Sequence, residues 1–586
     1  MYRKIMAQAA ACILSGIMVA GLAGCGAGTK SVSDQDAKVS DSPDITASGQ
    51  PAESTGGGSQ AGEAGSSSDA LRFQADQLPY TTETMVVDGQ AVTYRAYENI
   101  SYVANPVDPE QQVMNIYIPE AYFTGENMGS YSADDAPVFF PNGVGGYLPA
   151  DPMKPSMEGE IRGDASRAGL TGGIPEEVPE GAPEGTLEKA PEGAPEGMPE
   201  EAPGEIPGEA EQSPNSVLMA LSKGYVVASA GARGRTSQAA DGTYTGKAPA
   251  GIVDLKAAVR YLHYNDDVMP GDAGKIISSG TSAGGGMSAL LGATGDSADY
   301  EPYLEELGAA DASDVVYAVS AYCPITNLDN ADMAYEWLFH GINDYMTMNI
   351  TNENGQMKRE RVPGQMTAEQ IGYSDELKDD FVVYLNGLGL KDENGNALTL
   401  EEDGSGAFEE YLKGYLIDSA QKALEEGEDL AGTDWITIKD GMVTDVDFER
   451  YRQELSRSKA AMAFDSQNLS NAENSLFGSE TEDSRHFTVF SWTRDPAKGE
   501  MADDTEIRMM NPMNYIDTSG AVTAQYWRIR HGANDSDTSL AVPAILAATL
   551  KDKGYDVDFA VPWGQGHGGD YDLEELFAWT EQVVSR

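Results

Sequence analysis

Gly280-Thr281-Ser282-Ala283-Gly284 is a G-x-S-x-G pentapeptide that follows a short buried-strand pattern, Lys275–Ser279, and opens a helical one. In that strand–turn–helix setting the small residues let a serine stand on a sharp, strained turn with its hydroxyl free to act as a nucleophile. A phosphate-binding turn would need a P-loop lysine or a G-x-G-x-x-G spacing with an acidic ribose partner, and neither is present. A nucleophilic serine requires a base and a carboxylate to orient it, and after this kind of turn they follow in the order Ser, Asp/Glu, His. The chain has five histidines. His567 lies on the Gly-rich run Pro562–Gly569, between the last strand pattern and the last helix pattern, where a loop can carry an imidazole to the edge of a sheet. His263 falls in a helical pattern, and His340 and His486 in an irregular stretch, so these three read as surface or packing residues. For the acid, the strand pattern Gln525–Arg530 runs into His531-Gly532-Ala533-Asn534-Asp535-Ser536-Asp537; Asp535 is the first choice, Asp537 the alternative, and His531 a support for the loop. An acyl intermediate also needs N–H donors for its oxyanion. Ala283 supplies one, and Gly145 or Gly146, in the run Asn142–Tyr147 after the strand pattern Pro137–Phe140, supplies the other.

The elements that must position these residues alternate. Strand patterns at 84–87, 92–103, 113–118 and 137–140 come first, the two earliest forming an antiparallel edge. Helix 216–223, strand 225–230, helix 251–264, strand 275–280, helix 287–291 and strand 315–322 follow, and the end of the chain resumes the rhythm with strand 525–530, helix 540–551, strand 557–561 and helix 573–584. Apolar, β-branched strands alternating with helices predict a mostly parallel sheet covered on both faces. Residues 324–510 break the rhythm: they hold helical patterns at 333–339, 408–416 and 451–462 and the turn pairs Asn354-Gly355 and Asn394-Gly395, but no further strand–helix units. Asp392-Glu393-Asn394-Gly395-Asn396 mimics half a calcium loop yet lacks glycine at the sixth position, and reads as a hairpin turn. Nothing in the sequence asks for a metal or another cofactor.

Of 586 residues, 38 are Lys or Arg and 95 Asp or Glu, a net charge of −57. That excludes nucleic acid and anionic membrane surfaces as partners. Arg3 and Lys4 precede an uncharged stretch ending in Leu22-Ala23-Gly24-Cys25, which resembles a bacterial lipoprotein signal: residues 1–24 are removed, Cys25 is lipidated, and the protein is anchored to the cell membrane on its extracytoplasmic side. Cys12 leaves with the signal, so Cys323 is the only other thiol and no intramolecular disulfide is expected. Residues 25–78 are rich in Ser, Gly, Ala and Asp and read as a flexible tether. A second low-complexity tract, about 151–213, spaces Pro175, Pro179, Pro183, Pro191, Pro195, Pro199, Pro203 and Pro207 at multiples of four among glutamates and has no apolar face. It interrupts the first part of the folded core, residues 79–323; residues 324–510 form an inserted domain and 511–586 the second part of the core.

Gly280–Gly285, Trp527–Gly532, Asp535–Ser539 and the closing Pro562-Trp563, His567 and Asp570–Leu573 together resemble bacterial tannases, α/β-hydrolases that cleave galloyl esters. The resemblance spans most of residues 80–586 apart from the Pro-Glu tract. It implies an α/β-hydrolase fold with a large lid inserted between the sixth strand and the seventh, at 324–510. It further implies that the first Asp of Asp535-Ser536-Asp537 completes a Ser282–Asp535–His567 triad and that Asp537 contacts a galloyl hydroxyl. A lid lysine and glutamate contact the other hydroxyls in the family, and the stretch Lys459-Ala460…Phe464-Asp465…Glu473-Asn474 assigns these roles to Lys459 and Glu473. A site selecting three adjacent phenolic hydroxyls needs carboxylates to accept and an ammonium to donate, which agrees with that set. The expected partner is therefore a small phenolic ester. Alternatives are a feruloyl or acetyl esterase acting on plant polysaccharide with the same triad, a serine peptidase, and a hydrolase-like binding protein without catalysis.

Overall fold

The computed structural model describes residues 69–157, 213–353 and 356–586. The signal, Cys25, most of the tether and nearly all of the Pro-Glu tract lie outside them. Nine strands form one sheet in the order β1-β2-β3-β5-β4-β6-β7-β12-β13. They are β1 (Thr81–Val87), β2 (Gln90–Ser101), β3 (Val113–Pro119), β4 (Pro137–Pro141), β5 (Val226–Ala230), β6 (Asp272–Thr281), β7 (Ala318–Tyr322), β12 (Tyr526–Arg530) and β13 (Asp556–Ala560). From β5 to β13 every neighbouring pair is parallel. Residues of β4, β5 and β7 are buried throughout, as strands covered on both faces must be. The helices Ala250–Tyr264 and Ala283–Ala293 bring Ile252, Leu255, Val259, Leu290 and Leu291 into the same core as Val138, Ile276 and Val319. On the other face Val217, Leu218 and Leu221 meet Phe577 and Val583 of the helix Leu573–Val584. This is the expected α/β-hydrolase sheet.

The antiparallel edge is wider than expected: β3 is also antiparallel, to β2 on one side and to β5 on the other. The connection 102–112 carries no helix, and without such a crossover a neighbouring strand returns antiparallel. The inserted domain follows the seventh strand of this sheet, and the sixth when counting begins at β2. The tether ends before Leu78. Leu71 and Phe73 are buried, and Asn265 clamps them by accepting from the Phe73 N–H and donating to the Leu71 carbonyl. Residues 151–157 likewise belong to the fold, for the Met153 N–H donates to Ser229 Oγ at 2.9 Å.

Between β7 and β12, which pair directly, the chain makes the helices Leu328–Phe339, Ala368–Leu388, Ala407–Glu426 and Phe448–Leu455 and two hairpins, β8 (Asp344–Glu353) with β9 (Gln356–Gln365) and β10 (Ile436–Lys439) with β11 (Met442–Val446). Ala368–Leu388, the longest, has no counterpart among the sequence expectations. Its one clear mark is the capping box in which Thr367 and Gln370 satisfy each other's backbone N–H groups. The helix expected at 451–462 starts earlier, at its Asp447 cap, and stops at Leu455, because Ser456 turns left-handed (φ 58°) and the buried Arg457–Glu336 ion pair draws the chain aside. Asp392–Asn396 forms a turn closed by Asp392 N–H to the Asn396 carbonyl, with Lys391 and Ala397 bridged.

Candidate active site

Ser282 stands at φ 60°, ψ −121°, between β6 and the helix Ala283–Ala293. The elbow requires its glycines: a Cβ on Gly280 would lie 2.4 Å from the Gly284 carbonyl oxygen, and one on Gly284 only 2.8 Å from that of Val144. The Ser282 N–H donates to the Tyr322 carbonyl at 2.9 Å, so the strained residue is held by β7.

His567 comes from the loop after β13. Its Nε2 is 2.8 Å from Ser282 Oγ and its Nδ1 2.9 Å from Asp535 Oδ2. Asp535 is buried, and its Oδ1 accepts from the Asp537 N–H at 2.9 Å. The two loops are tied together by Asn534 N–H to the Gln565 carbonyl and Ala533 N–H to that of Pro562. Asp537, the alternative acid, lies on the other side of the imidazole, with Oδ2 3.7 Å from Nε2. Lys459 donates to Asp537 Oδ1 at 3.1 Å and to its carbonyl at 3.0 Å, across the ring of Phe464. Glu473, in the lid helix Ala472–Leu476, is buried near them. The structure thus brings Ser282, Asp535, His567, Asp537, Lys459 and Glu473 into one region.

Ala283 opens its helix, so its N–H is one of those without an intrahelical acceptor. Across from it the loop after β4 turns through Gly146 (φ 53°) and Tyr147 (φ 57°), and the N–H groups of Gly145 and Gly146 donate to no described residue. The remaining histidines behave as expected from their patterns: His263 meets the Val315 carbonyl, His340 meets Asp375, and His486 is buried against Asp465. His531 is buried beside Asp535, 3.6 Å from Nδ1 to Oδ2; its ring nitrogens make no hydrogen bond among the described residues, while its backbone N–H donates to the Ala560 carbonyl.

The fold and these distances can be set beside known proteins. Residues 206–364 match the model of the BD-FAE family, and no curated protein matches. A Fusobacterium nucleatum tannase of solved structure is 47% identical, with 88% of this chain and 99% of that one aligned at a TM-score of 0.76. A Lactobacillus plantarum tannase is 42% identical, with 88% and 100% aligned at 0.75. The chain belongs to the tannase family. It is a carboxylic ester hydrolase.

Within this family site the charges are ordered. Burial acts to lower the His567 pKa, but the Asp535 carboxylate, aided by Asp537, holds it well above the ordinary value. Burial alone would raise Asp535; His567 and His531 keep it ionised, below the usual range. Asp537 is likewise lowered by Lys459 and His567 against its burial, and Lys459 is raised by Asp537 and Glu473. Burial raises Glu473. Burial lowers His531 against the pull of Asp535. The donor atoms of Cys323, Asp535 and His567 lie within 4.8 Å of one another, the one such group among the described residues. Two of the three are already engaged with each other, and the Cys323 thiol donates to the Gly568 carbonyl.

Residues that pattern reading missed also touch the site. Tyr335 Oη accepts from the Ser458 and Lys459 N–H groups and donates to the Ser536 carbonyl, joining the lid segment to the Asp535–Asp537 loop. Tyr147 donates to the Ile325 carbonyl, and Arg235 donates to the loop after β4. No spacing marks them.

Proposed function

We propose that this tannase-family esterase hydrolyses galloyl esters through an acyl-enzyme formed on Ser282. The observation that carries the mechanism is the unbroken hydrogen-bonded chain Ser282–His567–Asp535 at the elbow. Ser282 Oγ attacks the ester carbonyl while His567 Nε2 takes its proton; Asp535 holds Nδ1–H and stabilises the imidazolium. The Ala283 N–H and that of Gly145 or Gly146 stabilise the oxyanion. The imidazolium then protonates the departing alcohol, and a water activated by the same nitrogen releases the acid. Substrate choice rests with Lys459, Asp537 and Glu473: carboxylates accept from phenolic hydroxyls and the ammonium donates to them. Relatives 41% identical were solved with ethyl gallate and with 3,4-dihydroxybenzoate, and this supports the reading.

A feruloyl ester is the second reading, favoured by the BD-FAE match; that match ends at residue 364, before Lys459, Glu473, Asp537 and His567. We further infer that Cys25 carries the lipid anchor and that the enzyme works on the extracytoplasmic side of the cell membrane; Cys25→Ser should move it into the soluble fraction. Intact-mass analysis of the enzyme mixed rapidly with an alkyl gallate tests the mechanism. A galloyl adduct on Ser282 is expected, and Ser282→Ala should show neither adduct nor more than a few per cent of the activity. A fully active Ser282→Ala would overturn it.

A further inference from the structure

The oxyanion loop is a strained segment that needs an external brace. Gly146 and Tyr147 are consecutive left-handed residues (φ 53° and 57°), and for Tyr147 that conformation is costly. Within the loop, Leu148 N–H donates to the Gly145 carbonyl at 3.0 Å and Val144 N–H to Asn142 Oδ1 at 3.4 Å, and Tyr147 is tethered at its far end through Oη to Ile325. Asn142 anchors the start of the loop on the Ser279 and Gly284 carbonyls, and Arg235 holds its left-handed turn. The Arg235 N–H donates to the Tyr147 carbonyl at 2.8 Å, and Arg235 Nε donates to the Gly146 carbonyl at 2.9 Å. A planar peptide carries its carbonyl and the following N–H in opposite directions. The two bonds therefore fix the Gly146–Tyr147 and Tyr147–Leu148 peptide planes; the Leu148 N–H of the second plane holds the Gly145 carbonyl, and with it the peptide that carries the Gly146 N–H.

Arg235 is itself firmly mounted. Two residues earlier, the buried Arg233 forks onto Asp254, and Ala232 pairs with Ala150 at the end of the same loop. Arg235 makes no close ion pair. Its Nη nitrogens meet no acceptor among the described residues, and Glu473 and Asp483 act on it only at longer range.

We propose that Arg235 is the positioning residue of the oxyanion hole: through Nε and its own N–H it fixes the peptides that follow Gly146, and through Leu148 it sets the direction of the Gly146 amide and so the stabilisation of the acyl-transfer transition state. This rests on the serine-esterase reading above. The side chain touches no reacting atom, so its effect belongs to kcat and to every ester alike. Losing one oxyanion donor costs about a hundred- to a thousandfold in kcat; loosening the loop should cost about ten- to a hundredfold.

The test measures kcat and KM on methyl gallate and methyl benzoate for the wild type, Arg235→Ala and Arg235→Lys, with Ser282→Ala as the control on the reading itself. Arg235→Ala should lose kcat on both esters by the same factor, keep KM within about threefold and regain activity when guanidinium is added. Arg235→Lys, which keeps one donor, should fall between. An unchanged kcat in Arg235→Ala overturns the proposal. So does a loss on methyl gallate alone, which would make Arg235 a partner of Glu473 in ring recognition. If Arg235→Ala does not fold, the same kcat and KM pattern in Arg235→Lys decides. An active Ser282→Ala would instead reject the underlying mechanism.

Discussion

His567 lies between two carboxylates that do different work on its two nitrogens. Asp535, on Nδ1, is buried and orients the ring; Asp537, 3.7 Å from Nε2, faces the side where substrate and Ser282 meet. Both hold the imidazolium, so the pKa of His567 lies above its ordinary value despite burial. A protonated His567 cannot accept the Ser282 proton, and activity falls as pH drops through that value. The acidic limb of kcat/KM should therefore have its midpoint above about 6.5. Asp537→Asn should move the midpoint to lower pH, and pH–rate profiles of the two proteins check this. Ser282, Asp535 and His567 were legible because the elbow, the chain order of the triad and the scarcity of histidine leave few choices. Asp537 was legible as an alternative acid, but its substrate role, like those of Lys459 and Glu473, was legible only through resemblance to a family, since an exposed lysine and a buried one look alike in a sequence. Arg235 and Tyr147 were not legible: their roles are hydrogen bonds to carbonyls across the fold, which leave no periodic mark.

The lid segment that carries Lys459 and Glu473 is held by buried carboxylates rather than by regular structure. Asp332, in the helix Leu328–Phe339, accepts from the N–H groups of Phe464 and Asp465. Asp465 in turn accepts from Asn474, His486, Phe487 and Thr488. Burial, with the Asp465 charge, raises Asp332 to about 7. In the unfolded chain it titrates near ~3.9, so between these values the folded protein keeps a proton that the unfolded chain loses. Its contribution to stability is full at pH below ~4 and is lost as pH rises through about 7. Urea unfolding at pH 5 and pH 7.5 should show this as a loss of stability that is smaller in Asp332→Asn. The same packing explains why the lid was hard to foresee. Strands and helices of the core announce themselves by apolar runs, whereas Ala368–Leu388 mixes charges along its length and buries only a narrow face, including Leu377, Phe381 and Leu385. The irregular stretch 456–471 follows side-chain anchors that no local pattern encodes.

The whole molecule keeps its long insertions at points the sheet can spare. Before the Pro-Glu tract the chain reaches Met157, and it resumes at Ser213. There Asn215 clasps both sides: its N–H donates to the Ser156 carbonyl, its Oδ1 accepts from the Ser156 and Leu218 N–H groups, and its Nδ2 donates to the Lys154 carbonyl. The base of the insertion is thus closed without the tract itself. Deleting 174–211 should leave the melting temperature and the turnover of small esters nearly unchanged, since loop-closure cost grows only with the logarithm of length; a large drop in melting temperature would contradict this. The core supplies Ser282, His567 and Asp537, and the lid supplies Lys459 and Glu473; on the proposed galloyl reading, substrate choice belongs to their assembly. A site built to bond hydroxyls leaves its own polar groups unpaired when they are missing, and discrimination can reach ~10⁴-fold. The most direct measurement is kcat/KM on methyl gallate, methyl ferulate and methyl benzoate for the wild type and for Asp537→Ala, Lys459→Ala and Glu473→Ala. The wild type should prefer gallate, and each variant should lose roughly ten- to a hundredfold on it, at ~1.5–3 kcal/mol per charged hydrogen bond, while narrowing the gap to benzoate. A wild type that prefers ferulate, or variants that leave the preference untouched, would contradict galloyl recognition by this site.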